Sequence, residues 1–193
     1  YYNELSAQPE KALVYYQKAS AAPSDYCYPF RWEEVEILKH AMKLNPTDAR
    51  APYYLGNLFF EHQSAEAIAL WEQSLSIDKN FYITWRNLAW AANENQDYAK
   101  ALTYMQKAFD CNNKDARLLF EMDELNDLNK LSPKAKFDFL KKNLAVVKTR
   151  SETILRLATR AVEYGKYEEA LRLMDTNFII ESEGARDMQD NYL

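Results

Sequence analysis

The 193-residue sequence predicts an all-α protein, a row of antiparallel helix pairs, and three observations carry that prediction. Glycine occurs 3 times and proline 6 times, against average shares of about 7% and 5%, so helix interiors meet few of the residues that break them. Ala67, Ala101 and Ala135 recur every 34 residues, with Ala170 a further 35 along. The same offsets link Trp71, Met105, Phe139 and Met174, and the 34-residue step also joins Ser74 to Ala108. A fixed period of about 20 to 50 residues marks stacked repeats. Finally, no segment requires a strand.

The period has a packing cause. Two antiparallel helices cannot bury their apolar stripes alone, so each pair leans on the next. A small residue is needed where two axes come closest, and a large one fills the adjacent gap.

Each element follows from this spacing and from its punctuation. Ala12, Tyr16 and Ala19 predict a helix over 9–21. The next, 31–44, stops at Asn45-Pro46, because the residue before proline is pushed out of the helical region. Leu55-Gly56 and Phe59 place a helix at 50–62; Ala67, Trp71 and Ser74 place its partner at 65–77. Trp85, Leu88, Ala89 and Ala92 give 81–95, and Tyr98, Ala101, Met105 and Ala108 give 98–110. Leu119, Met122 and Asn126 give 115–130. Ser132 is a capping hydroxyl before Pro133 at the first helical position, opening 133–148. Ser151 is read the same way ahead of 152–164, where Gly165 suits a left-handed C-cap. Tyr167, Ala170 and Met174 complete the series at 167–177.

Two stretches break the period. The insertion 22–32 carries Tyr26, Tyr28, Pro29, Phe30 and Trp32, a proline-aromatic cluster expected to cover one edge of the core. The off-pattern segment 178–193, with Phe178-Ile179-Ile180 and Glu183-Gly184, is expected to lead into a further helix pair. The whole of 1–193 is read as one repeat array cut from a longer chain, since Tyr1-Tyr2-Asn3-Glu4 is neither an initiator methionine nor a signal peptide. The compartment is therefore not legible.

In Trp85, Leu88, Ala89 and Ala92, followed by Tyr98, Ala101, Met105 and Ala108, the sequence resembles the tetratricopeptide repeat (TPR). Three other units match less completely. Pro52 stands where an aromatic is usual, and Asp123 replaces a small residue at a helix-packing position. The resemblance implies a right-handed α-α superhelix in which the first helix of each pair lines a concave surface. A narrower similarity rests on Tyr28-Pro29, Leu44-Asn45-Pro46, Asp48-Ala49-Arg50, Tyr53-Tyr54-Leu55-Gly56-Asn57, Trp85-Arg86-Asn87-Leu88 and Asp115-Ala116-Arg117. It is to the repeat region of large bacterial proteins whose amino-terminal, β-rich domain of unknown function is thought to be related to carbohydrate-active proteins. Any activity would reside in that domain, so no catalytic residue is carried over.

Charge and composition narrow the partner. With 29 acidic and 24 basic residues interspersed, there is no basic stripe for phosphates, and nucleic acid is not expected. The longest stretch without a charged residue runs from Ala51 to Phe60, far short of the roughly 18 apolar residues of a membrane span. Cys27 and Cys111 form no CxxC pair, and His40 and His62 have no ligand-spaced companion, so neither metal nor cofactor is expected. No phosphate loop, GxSxG elbow or HExxH helix occurs. Glu33-Glu34 and Glu168-Glu169 are adjacent and diverge around a helix. The chain reads as a non-enzyme.

What remains is binding. Positions of the first helices that the repeat pattern leaves for the concave surface hold Tyr53, Asn57 and Phe60, then Arg86, Asn87, Trp90 and Asn93, then Arg117 beside Phe120, Glu121 and Glu124. Aromatic, amide and arginine side chains together suit a peptide or protein segment, offering area and hydrogen bonds at low entropic cost. The resemblance implies one specific mode, a clamp for a terminal carboxylate: Asn57 and Asn87 match its amides and Arg117 a basic position. Tyr53 and Glu121 do not match, and a glutamate facing a carboxylate repels it. The alternative is a structural spacer or docking module for a missing amino-terminal domain, engaging it through the aromatic cluster from Tyr26 to Trp32.

Overall fold

A computed structural model describes residues 8–23 and 27–177. Tyr26 and the segment 178–193, expected to begin another helix pair, lie outside the described residues. Among them run eleven helices: α1 (Pro9–Ala21), α2 (Glu33–Leu44), α3 (Arg50–Phe59), α4 (Ser64–Ile77), α5 (Tyr82–Glu94), α6 (Tyr98–Cys111), α7 (Ala116–Leu128), α8 (Pro133–Lys142), α9 (Leu144–Val147), α10 (Ser151–Glu163) and α11 (Tyr167–Asn177). No strand occurs among the described residues. The chain divides into two compact units, Tyr1–Cys111 and Asn112–Leu193.

In the first unit the apolar residues form successive layers instead of one closed interior. Ala12 and Tyr16 of α1 meet Ala41 of α2 and Ala51 of α3, with Leu38 and Met42 at the edge. Leu38 and Met42 also border the next layer, Val35, Leu55, Phe59 and Ala67. Phe60 borders that layer and the following one, Tyr53, Trp71, Leu75, Leu88 and Ala91. Each layer thus shares side chains with its neighbour, as stacked pairs require. Ala67 and Ala101, two of the periodic alanines, are fully buried. Gly56 marks the tightest approach: a β-carbon there would lie 2.5 Å from Trp71 Nε1 and 3.1 Å from the Ala67 carbonyl. Only glycine lets α3 and α4 come so close.

Polar groups close the helix ends. Arg50 Nη1 donates to the carbonyls of Ser20 and Ala22, satisfying the last turn of α1, and Asn45 Nδ2 donates to Ser20 Oγ at 3.3 Å. Asp48 Oδ1 accepts from the Arg50 amide at 2.8 Å, and Asp115 Oδ1 accepts from the Arg117 amide at 2.9 Å, so the two Asp-Ala-Arg triplets do the same capping work. Burial pushes the Asp48 carboxyl above its ordinary range. Ser132 Oγ accepts from the Ala135 amide at 3.3 Å, as a cap before Pro133 should. Ser151, by contrast, is the first helical residue of α10, and Arg150 stands at the cap position.

Three helices end in the same left-handed turn. Gly165 has φ 78°, Gln96 φ 60° and Lys130 φ 56°. At each, the following amide bonds back five residues: Asp97 to Ala92, Leu131 to Asn126 and Lys166 to Ala161, at 2.7 to 3.0 Å. These are Schellman caps, and they recur 34 and 35 residues apart, the interval of the alanines. At two of the three turns a side chain replaces the glycine that the motif favours.

The second unit departs from the expected register. The helix predicted over 133–148 breaks at Asn143, whose Nδ2 donates to the Phe139 carbonyl at 2.9 Å, leaving α8 and the single turn α9. On α8 the deeply buried residues are Lys136, Phe137 and Leu140, while Ala135 and Phe139 are only half-buried. The cause lies across the interior. Asp123 is fully buried and receives Arg160 Nε at 2.8 Å and Nη2 at 2.6 Å. Arg160 also bonds Asp127, and both Glu163 oxygens at 2.9 Å. Lys136 Nζ completes the cluster on Asp127 at 2.6 Å and Glu163 at 3.2 Å. Turning Lys136 inward places its amine in this cluster and rotates the α8 stripe. Where the repeat pattern expects a small residue, helices α7, α8 and α10 are therefore joined through charge. Burial pushes the Asp123 carboxyl up, with Arg160 pulling the other way. At Asp127 burial acts upward too, but hydrogen bonds from Lys136 and Arg160 prevail and hold it below its ordinary value.

Candidate functional site

Helices α3 and α5 carry most of the residues that the sequence assigns to binding, and the structure sorts them into two groups. The first group builds the scaffold. Asn57 Oδ1 accepts from Asn87 Nδ2 at 2.7 Å and from Trp71 Nε1 at 3.1 Å, and the same indole also reaches the Tyr53 carbonyl at 3.3 Å. One amide oxygen thus ties α3 to α4 and α5. Tyr53, expected on the exposed surface, is buried at 6%, its ring edge-on to Phe81 at 5.0 Å. Burial raises its phenol above the ordinary range, partly offset by a hydrogen bond with Asn57. Phe60 is half-buried and leans on Trp71 with ring centroids 5.1 Å apart.

The second group faces outward. Arg86, Trp90 and Asn93 follow one another at helical spacing along one side of α5. Trp90 is 56% exposed, so it does not fill a gap inside the unit. Arg86 and Asn93 are half-buried. The Asn93 Oδ1 is buried and has no hydrogen-bond partner, an uncompensated acceptor at the base of this strip. Arg117 belongs to the second unit, where it is exposed on α7 and its guanidinium turns back to Asp115 at 3.3 Å. Within that unit, Arg156 lies 4.5 Å over the ring of Phe120 and pairs with Glu124 at 3.0 Å.

The insertion also differs from expectation. Tyr28, Phe30 and Trp32 are 72%, 75% and 65% exposed, so this cluster does not cover the core. Phe30 and Arg31 are tied to α2, because Glu34 Oε2 accepts from their amides at 2.7 and 2.8 Å. Among the described residues no group of histidine, cysteine, aspartate or glutamate is arranged to hold a metal ion, and no helix is long and apolar enough to cross a membrane.

Sequence reasoning missed the Arg160 cluster and the non-glycine caps. Asp123 at a packing position signalled the first, but its partner stands 37 residues away on another helix, beyond any local pattern.

Layered helix pairs of this period define a helical-repeat fold of the tetratricopeptide type. No family model matches the chain. Among solved structures, PilF of Pseudomonas aeruginosa is similar with a TM-score of 0.62 and 17% identity, over 86% of this chain and 75% of that one. MamA of Desulfovibrio magneticus RS-1 has a TM-score of 0.60 and 14% identity, over 85% and 92%. YrrB, described as a TPR protein with an unusual peptide-binding site, has a TM-score of 0.58 and 17% identity, over 82% of each chain. At such identities the likeness concerns the fold.

Proposed function

We propose that this chain is a non-catalytic interaction scaffold that holds a peptide or protein segment on the outward face of α5, with Trp90 as the anchor. The observation that carries the reading is the exposure of Trp90 at 56% beside Arg86 on the same side of α5. A large, rigid aromatic beside an arginine is the composition of interface hot spots. The Asn57-Asn87-Trp71 network holds the helix that presents both. The reading is in keeping with the peptide-binding site named for YrrB, a protein of similar fold. Asn87 Nδ2 already donates to Asn57 Oδ1, which argues against its serving in a carboxylate clamp with Arg117.

Panning a display library of random peptides on the protein tests this. Selected peptides are expected to lose about tenfold or more in affinity against Trp90→Ala, whose circular dichroism stays unchanged. Equal affinity for both proteins refutes the site.

A second reading has its own observation. The Tyr28-Phe30-Trp32 strip is exposed and tied to α2 through Glu34, which suits docking of another domain of a longer chain. It requires that a chain extended at its amino terminus bury Trp32; an unchanged Trp32 environment in the extended chain refutes it.

A further inference from the structure

Between α10 and α11 an apolar groove of about 300 Å³ is lined by Leu155, Ala158 and Val162 from one helix and by Ala170, Leu171 and Met174 from the other. Leu171 is 48% exposed, and Tyr167, which also lines the groove, is 64% exposed. The first unit holds the same surface in covered form. Leu155 and Val162 stand 102 residues after Tyr53 and Phe60, and Leu171 and Met174 stand 103 residues after Ile68 and Trp71. Those four earlier residues belong to the layer that α5 closes by laying Leu88 and Ala91 on α3 and α4, with Phe81 just ahead of the helix. Two pairs of one repeat series thus present one kind of face, and only the earlier is covered among the described residues.

Residues 178–193, which follow α11 and lie outside the described residues, carry the covering pattern in register. Phe178 stands 103 residues after Leu75, a buried member of the covered layer. Ala185, Met188 and Tyr192 stand 104 residues after Phe81, Thr84 and Leu88. The offset thus grows from 102 to 103 to 104, one residue gained at each successive turn. Ala185, Met188 and Tyr192 are spaced i, i+3 and i+7, one stripe of a helix, whereas Arg186, Asp187, Gln189, Asp190 and Asn191 are polar. The reach matches too: Leu88 comes 17 residues after Trp71, and Tyr192 comes 18 after Met174. We propose that residues 185–193 of the same chain seat as a helix in the α10–α11 groove, with Met188 and Tyr192 on Leu155, Val162, Leu171 and Met174. Tethering selects this occupant over a separate molecule, because a segment joined to α11 by a short connection meets the groove at an effective concentration on the order of millimolar. The contact withholds an apolar face that would otherwise attract other chains. It is independent of the Trp90 face.

The test uses the full chain with ¹³C-labelled methyl groups. Nuclear Overhauser contacts are read between the Tyr192 ring and the Leu171 and Met174 methyls. The expected result is that both contacts are present, and that Met188→Asp, which puts a charge into the apolar groove, removes them and shifts the two methyl resonances. The Trp71 indole N–H, in the first unit, should stay where it is and so report that the variant folds. A second measurement is thermal unfolding. Leu171→Ser should lower the melting temperature of the parent more than that of the Met188→Asp chain, since a leucine that nothing covers contributes little. A mixture of labelled and unlabelled chains identifies the donor of the ring: contacts confined to single chains support the proposal, and contacts passing between chains assign the groove to a second copy and overturn it. Absence of any contact from Tyr192 to either methyl, or an equal effect of Leu171→Ser in the two backgrounds, also overturns it.

Discussion

Asn87 Nδ2 donates to Asn57 Oδ1 across 2.7 Å, linking α5 to α3 through a single amide oxygen that Trp71 also uses. Two residues that look like ligand contacts in the sequence therefore hold α5 in place. The pair should show coupling in a double-mutant cycle. Asn57→Ala and Asn87→Ala are each expected to cost about 0.5 to 1.5 kcal/mol in urea unfolding, with the double variant costing less than their sum. Strict additivity would contradict the link.

Gly56→Ala is expected to cost roughly 1 to 3 kcal/mol, because its β-carbon would meet the Trp71 indole at 2.5 Å and the Ala67 backbone at 3.1 Å. The tryptophan must shift, and with it the hydrogen bond to Asn57. Loss of stability with an altered Trp71 indole N–H resonance checks this; an unperturbed indole would not fit.

The left-handed caps predict the opposite sign. Gln96→Gly and Lys130→Gly should each stabilise by about 0.3 to 1 kcal/mol, relieving a side chain at positive φ, whereas Gly165→Ala should destabilise by about 1 kcal/mol. Thermal unfolding of the three variants measures both signs together.

The charge cluster of the second unit gives a pH signature. The folded-state carboxyl of Asp127 lies below the ordinary 3.8, so its ionised form favours folding. That contribution is present above the ordinary value and is lost as pH falls through the folded one. The stability difference between the parent chain and Asp127→Asn should therefore be constant above about pH 5 and shrink as the solution is acidified below about pH 4. A difference that grows on acidification would reverse the assignment. Removing one partner of the buried pair is a larger insult: Arg160→Met, leaving Asp123 only Arg156 Nε at 3.4 Å, should cost up to about 3 to 5 kcal/mol, and Asp123→Leu added to it should recover part of the loss.

The regular features were legible because they repeat. The spacing of Ala67 and Ala101 follows from helix packing, and both are buried. What escaped the sequence rests on pairings between distant residues. The break at Asn143 and the turned stripe of α8 accompany Lys136 reaching Asp127 and Glu163, which no local pattern encodes. Gln96 and Lys130 hid their caps by not being glycine. At the candidate site, counting positions distinguished first-helix residues from the rest, but not the inward Tyr53 from the outward Trp90. Burial there depends on which neighbouring ring, Phe81 for Tyr53, closes over each side chain.

Amide hydrogen exchange of the full chain, alone and saturated with a peptide selected by panning, tests the binding face most directly. Exchange should slow across residues 86–93 of α5 and stay unchanged around Tyr28 to Trp32. Protection confined to the aromatic strip, with α5 exchanging as it does in the free chain, would contradict the assignment.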